Sequence, residues 1–197
     1  NDDTVELFSH DADVEIFTGD GTDEIIVNRS DQTAPEEGVV TAGSVSGFEI
    51  GTATFDRDAL ETLTVRLGSG DDRITVRNTH QTVSTEIFGA DGDDQFTVDA
   101  ITGSTTIEGD AGSDQAILKV DSAFGDLPDG EFGVFGLLGL TVESLVVDNR
   151  DNSNPLDWSL EDRTIEVQSE SDPSPAPRPF VDAIGAEEVV FRGSTST

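Results

Sequence analysis

Aspartates recur in this chain inside glycine corners, and each corner runs directly into an alternating apolar pattern. Four segments align without a gap: residues 16–27 (IFTGDGTDEIIV), 65–76 (VRLGSGDDRITV), 87–98 (IFGADGDDQFTV) and 107–118 (IEGDAGSDQAIL). Counted from the first apolar residue, a Gly stands five positions on, an Asp seven on, and apolar residues nine and eleven on. The Gly column is Gly21, Gly70, Gly92 and Gly112; the Asp column is Asp23, Asp72, Asp94 and Asp114. Further acids, Asp20, Asp71, Asp91, Asp93 and Asp110, crowd the same corners. Carboxylates stacked at the strand spacing of roughly 4.8 Å repel one another. They must spread, take up protons or bind cations. All-oxygen donors of this kind suit a hard ion such as Ca²⁺.

The elements that position these acids follow from the same frame. Ile25-x-Val27 and Ile74-x-Val76 have the period-two alternation of a strand with one buried face. Gly supplies the positive φ of a tight corner. The Asp two residues later sits at the corner's rim. A corner and strand repeated in one frame is a stacking unit.

These corners resemble the glycine- and aspartate-rich nonapeptide of RTX (hemolysin-type) calcium-binding proteins, G-G-x-G-x-D-x-U-x. GDGTDEI (19–25) and GSGDDRI (68–74) match its G-x-G-x-D-x-U part, while ADGDDQF (90–96) and DAGSDQA (110–116) keep the second Gly, the Asp and the apolar position. The family usually sets nonapeptides in tandem. Here Asp72 to Asp94 is 22 residues and Asp94 to Asp114 is 20, so one motif falls in each coil, as in very large secreted β-helix repeat proteins. The resemblance implies Ca²⁺ held by the corner aspartates.

A longer repeat has an offset of roughly 120 to 125 residues. Residues 27–67 and 147–192 both begin with a strand, pass through a polar turn, and end at an acidic residue opening a new strand. One module over 1–197 is expected, with insertions at about 30–60, 121–140 and 169–183. The first should carry strands at 45–50 and 53–55. The second is rich in Phe, Leu and Gly, and reads as a cap or as a sticky patch for a partner. The third, SESDPSPAPRPF, reads as a polyproline-like spacer. NDDTVEL at the start resembles DDRITV, and EEVVFR near the end leads into GSTST. Two readings stay open: a segment of a longer repeat protein, or a subunit that stacks head to tail.

Ten basic against 42 acidic residues give a formal charge of −32, with Lys119 the sole lysine. Nucleic acid and anionic membrane surfaces would be repelled. Adaptation to high salt is a second explanation of that charge, compatible with Ca²⁺ sites. There is no cysteine, so no disulfide or thiol chemistry. No transmembrane run is visible. Catalytic signals are weak. His10 and His80 sit in polar turns, and Ser46, Ser69 and Ser84 lack nucleophile-elbow settings. Trp158, a lone Trp, reads as core. Asp71 and Asp72 are a paired-acid motif, but a repeat does not produce a single active site.

The expected fold is all-β, a right-handed parallel β-helix or β-roll-like solenoid with loop insertions; the rival is a β-sandwich repeat. The expected function is structural rather than enzymatic: an extracellular, Ca²⁺-stabilised scaffold, in a filament or a large adhesin. Its partners would be copies of itself or other cell-surface and matrix proteins. The alternative is a carbohydrate-binding or polysaccharide-degrading β-helix.

Overall fold

The computed structural model describes residues 1–9, 12–119, 138–148, 150, 156–161, 164–169, 178–183 and 186–192; for residues 138, 156–161, 164–169 and 178–183 it describes the backbone alone. His10, the apolar segment through residue 137 and the proline-rich stretch at 170–177 lie outside the described residues, as does the side chain of Trp158.

Eighteen strands and no helix occur among the described residues. They are β1 (Thr4–Leu7), β2 (Val14–Ile16), β3 (Glu24–Asn28), β4 (Glu37–Thr41), β5 (Ser44–Gly47), β6 (Ile50–Phe55), β7 (Thr62–Arg66), β8 (Arg73–Val76), β9 (Ser84–Phe88), β10 (Gln95–Val98), β11 (Thr105–Glu108), β12 (Gln115–Lys119), β13 (Leu138–Thr141), β14 (Ser144–Asp148), β15 (Leu156–Glu161), β16 (Thr164–Ser169), β17 (Arg178–Ala183) and β18 (Glu188–Arg192). Sheet A has the order β1-β3-β7-β9-β11-β13-β17-β16-β15, and sheet B the order β18-β14-β12-β10-β8-β4-β5-β6-β2. The pairings are parallel except β4–β5, β5–β6, β15–β16 and β16–β17.

From β7 to β14 successive strands alternate between the sheets, and from β9 on each lies parallel on the strand two before it. Thr62 pairs Ser84 and Arg73 pairs Gln95, an offset of 22 residues. Thr85 pairs Thr105 and Gln95 pairs Gln115, an offset of 20. These offsets equal the Asp spacings, so the sequence repeat is the structural unit: a sheet A strand, a corner, a sheet B strand and a return.

The alternating residues face inward and stack in columns. Val27, Val65, Ile87, Ile107 and Leu140 form one column on sheet A. Val40, Val76, Val98, Leu118 and Val147 form one on sheet B, and all ten are buried. One unit thus buries Leu63, Val65, Ile74 and Val76. Burial of each such side chain contributes about 1.5–3 kcal/mol.

Residues 37–41 were expected within an excursion. They form a regular strand instead, with β4 parallel on β8 in register Glu37↔Arg73. Gly38 stands where other strands put an inward aliphatic residue, and the Phe48 ring fills the place: a Cβ on Gly38 would lie 1.9 Å from it. Phe48 and Glu49, both at positive φ (52° and 50°), make the two-residue turn of the β5–β6 hairpin. That geometry matches the twist of paired strands but disfavours bulky residues. Full burial of Phe48 outweighs the strain. Near the other end, residues 178–183 were expected in an insertion. They form β17, parallel on β13, and β16 and β15 extend sheet A antiparallel from it.

Two corner positions generate opposite expectations. Gly112 (φ 155°) has no room for a side chain, since a Cβ would lie 1.7 Å from the Gly92 carbonyl oxygen. Two residues before the motif Gly, where Gly19 sits at φ 91°, the later units place Ala90 (φ 69°) and Asp110 (φ 67°). Gly112→Ala should lower stability by at least about 2 kcal/mol. Ala90→Gly should raise it by up to about 1 kcal/mol, because left-handed Ala costs roughly 1–2 kcal/mol and the more flexible unfolded Gly returns part of that. Urea midpoints at constant m-value measure both.

Candidate functional site

The aspartates of the repeat stand just before strands, where the chain turns from corner to sheet. There the backbone N–H of each ladder residue, buried and outside the strand pairing, needs an acceptor. The carboxylate of the next unit supplies it. At the start of the sheet B strands, the amides of Glu36, Asp72 and Asp94 donate to Oδ1 of Asp72, Asp94 and Asp114 at 2.7, 2.8 and 2.9 Å. The Asp114 amide donates to Glu143 Oε2 at 2.7 Å. The carbonyls of Asp72 and Asp94 accept from the Gln95 and Gln115 amides, each at 2.9 Å, so each such residue is held on both sides.

Asp23 is not in this column. It precedes β3 of sheet A, and its partners are the Asp3 amide, which donates to Asp23 Oδ1, and Glu61 Oε2, which accepts from the Asp23 amide, both at 2.7 Å. The single four-membered column expected from the alignment is therefore two ladders, one at each sheet. The same frame serves both corners, so a gapless alignment cannot separate them. Glu36, Glu61, Glu143 and Asp3 were missed as members. Their signal is an acid followed by small or apolar residues two and four positions on, as in Glu61-x-Leu63-x-Val65 and Glu143-x-Leu145-x-Val147.

Each of Asp23, Asp72, Asp94 and Asp114 is at most 2% exposed, and in each the second oxygen, Oδ2, is buried without a hydrogen-bond partner. A Cβ on Gly89 would lie 2.3 Å from Asp94 Oδ2 and 2.7 Å from the Gly109 carbonyl oxygen. The bare glycine thus leaves room for both oxygens, and a buried carboxylate oxygen without a donor calls for a proton or a cation. Burial pushes the Asp94 carboxyl up to about 7, against the lowering pull of the Asp72 amide and with the charges of Asp72 and Asp114 adding to the rise. Burial likewise raises Asp72 and Asp114, with the Glu36 and Glu143 charges contributing.

The residue before each ladder position makes a second, exposed ladder of opposite direction. Asp71 Oδ1 accepts from the Asp93 amide at 3.0 Å, and Asp93 Oδ1 from the Ser113 amide at 2.9 Å. Asp20, Asp91 and Asp110 are exposed at the corners. Among the described residues no three acidic or imidazole side chains converge on one point that could hold a metal. The carboxylate oxygens left without a hydrogen-bond partner are the four buried Oδ2 atoms. That set is hard and all-oxygen, as Ca²⁺ requires. His80 lies 3.6 Å from Asp58.

No family model, curated protein or solved structure matches this chain.

The ladder predicts how metal-free protein responds to pH. The folded Asp94 carboxyl keeps its proton to about 7, against 3.8 for the ordinary group. Folding therefore takes up protons between those values, and stability falls as pH rises through that window. In chelator, the melting temperature should be higher at pH 5 than at pH 8. Asp94→Asn keeps an acceptor for the Asp72 amide and removes the buried charge. It should raise the melting temperature at pH 8 and flatten the pH dependence. A native protein whose stability does not fall from pH 5 to pH 8 would contradict the buried, uncompensated carboxyl.

Proposed function

We propose that the chain is an extracellular structural module, a right-handed parallel β-helix of β-roll type whose buried carboxylate ladders bind Ca²⁺ and so fasten one coil to the next. Parallel pairing of alternate strands across two sheets favours this over a β-sandwich repeat, which pairs antiparallel. The right hand follows the general rule for crossovers between parallel strands. The observation that carries the reading is the row of buried, unpartnered carboxylate oxygens at Asp72, Asp94 and Asp114, with Asp23 in its own ladder. Asp71, Asp93, Asp91, Asp110 and Asp20 add negative potential outside it. Millimolar Ca²⁺ outside cells matches the weak affinities of extracellular modules. The acids are distributed by repeat, which suits a scaffold rather than a catalyst. Stacking on further modules, or on cell-surface and matrix proteins, is the partner class this implies.

Calorimetric titration of chelated protein at low salt tests it. Ca²⁺ should give heat and a higher melting temperature. At a hundredfold excess over Kd one site contributes about 2.7 kcal/mol, or roughly 5–10 °C for a chain of this size. Asp94→Ala should weaken binding far more than Asp99→Ala, since Asp99 only meets Lys119 at 3.4 Å. The absence of both heat and a shift in melting would refute the metal reading.

Carbohydrate binding is the second reading, and one feature favours it. A cavity of about 430 Å³ beside β4, β8 and β10 is lined by Glu37, Ser46, Arg73, Gln95 and Thr97, a set able to hydrogen-bond sugar hydroxyls. On the structural reading, uronate polymers and neutral glycans should yield no new reducing ends. Saturable glycan binding that Arg73→Ala abolishes would promote the second reading.

A further inference from the structure

Five acidic side chains are buried in the two ladders: Asp23, Glu36, Asp72, Asp94 and Asp114. Four keep an oxygen without a partner; Glu36 does not. Both of its oxygens accept from Arg29. Nε reaches Oε1 and Oε2 at 3.2 Å, and Nη2 reaches Oε1 at 2.6 Å. The guanidinium is itself 2% exposed, and its Nη1 donates to the Phe8 carbonyl at 2.6 Å. Glu36 also marks a break in the stacking. Its amide starts the sheet B ladder by donating to Asp72. On its other side β5 runs antiparallel to β4, and among the described residues the Glu36 carboxylate accepts from Arg29 and from no corner amide. Arg29 supplies at that point both the donors and the positive charge. A planar guanidinium suits this, being permanently charged and bidentate toward a carboxylate.

We infer that Arg29 is a built-in counter-cation that ends the metal column: it occupies at Glu36 the role that Ca²⁺ takes at Asp72, Asp94 and Asp114, so that removing it opens one further cation position. The inference rests on the metal reading above and deepens it. Arg29 sets where cation binding stops, and the number of ions is fixed by the chain's own residues rather than by its overall acidity.

The test counts ions. Full-length protein is stripped with chelator, dialysed against a Ca²⁺ series at low salt, and assayed for bound metal by elemental analysis. Arg29→Met should bind one more Ca²⁺ per chain than the native protein. Its metal-free form should melt lower, and saturating Ca²⁺ should recover most of the loss. Arg57→Met makes the same change in net charge at an exposed site and should leave the count unchanged. The double variant Arg29→Met/Glu36→Gln removes the buried pair together, which folds tolerate, and should return to the native count. A native protein that binds no ion overturns the metal reading. A native protein that binds ions while folded Arg29→Met binds no more overturns this inference alone. So does an Arg29→Met chain that excess Ca²⁺ cannot fold while the double variant folds.

Discussion

A buried backbone N–H that donates across a unit boundary to a carboxylate is the contact on which the stacking depends. Within a strand the neighbouring strand provides every acceptor. At the corner the chain leaves the sheet, and the Asp72 and Asp94 amides would be buried without one. Leaving such a group unpaired costs about 1–3 kcal/mol, and the cost would recur at every unit. Asp94 Oδ1 and Asp114 Oδ1 remove it with charge-assisted bonds of 2.8 and 2.9 Å. The glycine corners, the 20- and 22-residue unit lengths and the closeness of successive carbonyls all serve to bring amide and carboxylate into register.

Satisfying the amide takes one carboxylate oxygen and leaves the other as a buried charge. An asparagine would accept the same hydrogen bond with no such consequence. Yet the acceptors, Asp23 and Glu61 in one ladder and Asp72, Asp94, Asp114 and Glu143 in the other, are all acids. Adaptation to salt explains acids on the surface, but it does not explain carboxylates at most 2% exposed. The negative charge is therefore a shared property of the ladders in its own right. Glu36 shows what that charge needs, because there a buried guanidinium meets it, though that guanidinium also faces Glu49 at 3.8 Å.

The sequence made the strands, their inward faces and the unit length legible, because period-two alternation and a repeated corner are strong local signals. It misled where one physical role can be filled by different residues. Asp23 fits the same frame as Asp72 but serves the other sheet. Glu61 and Glu143 do the work of Asp with an extra methylene and without the Gly-x-Asp signature. Gly38 hid the inward column of β4, since Phe48, ten residues on, provides the missing apolar bulk. Ala90 and Asp110 turn left-handed where the motif prefers Gly. Packing against the previous unit decides these positions, and a linear pattern does not record that neighbour.

The two ladders at the sheet B corners run in opposite directions through adjacent residues. The Asp94 amide donates forward to Asp114, while the Asp93 amide donates back to Asp71. Each corner is thereby tied to the unit on either side by a different peptide group. The exposed backward bond is screened by water and salt and contributes little. The buried forward bond is strong, but it carries the uncompensated oxygen. A unit in isolation would have neither its amide acceptor nor a second carboxylate to share a cation. Stability therefore resides in the interfaces between units more than within any one of them, as nearest-neighbour models of repeat proteins require. Whatever neutralises the buried carboxylates then controls several interfaces at once, which makes charge compensation a cooperative determinant of whether the stack forms.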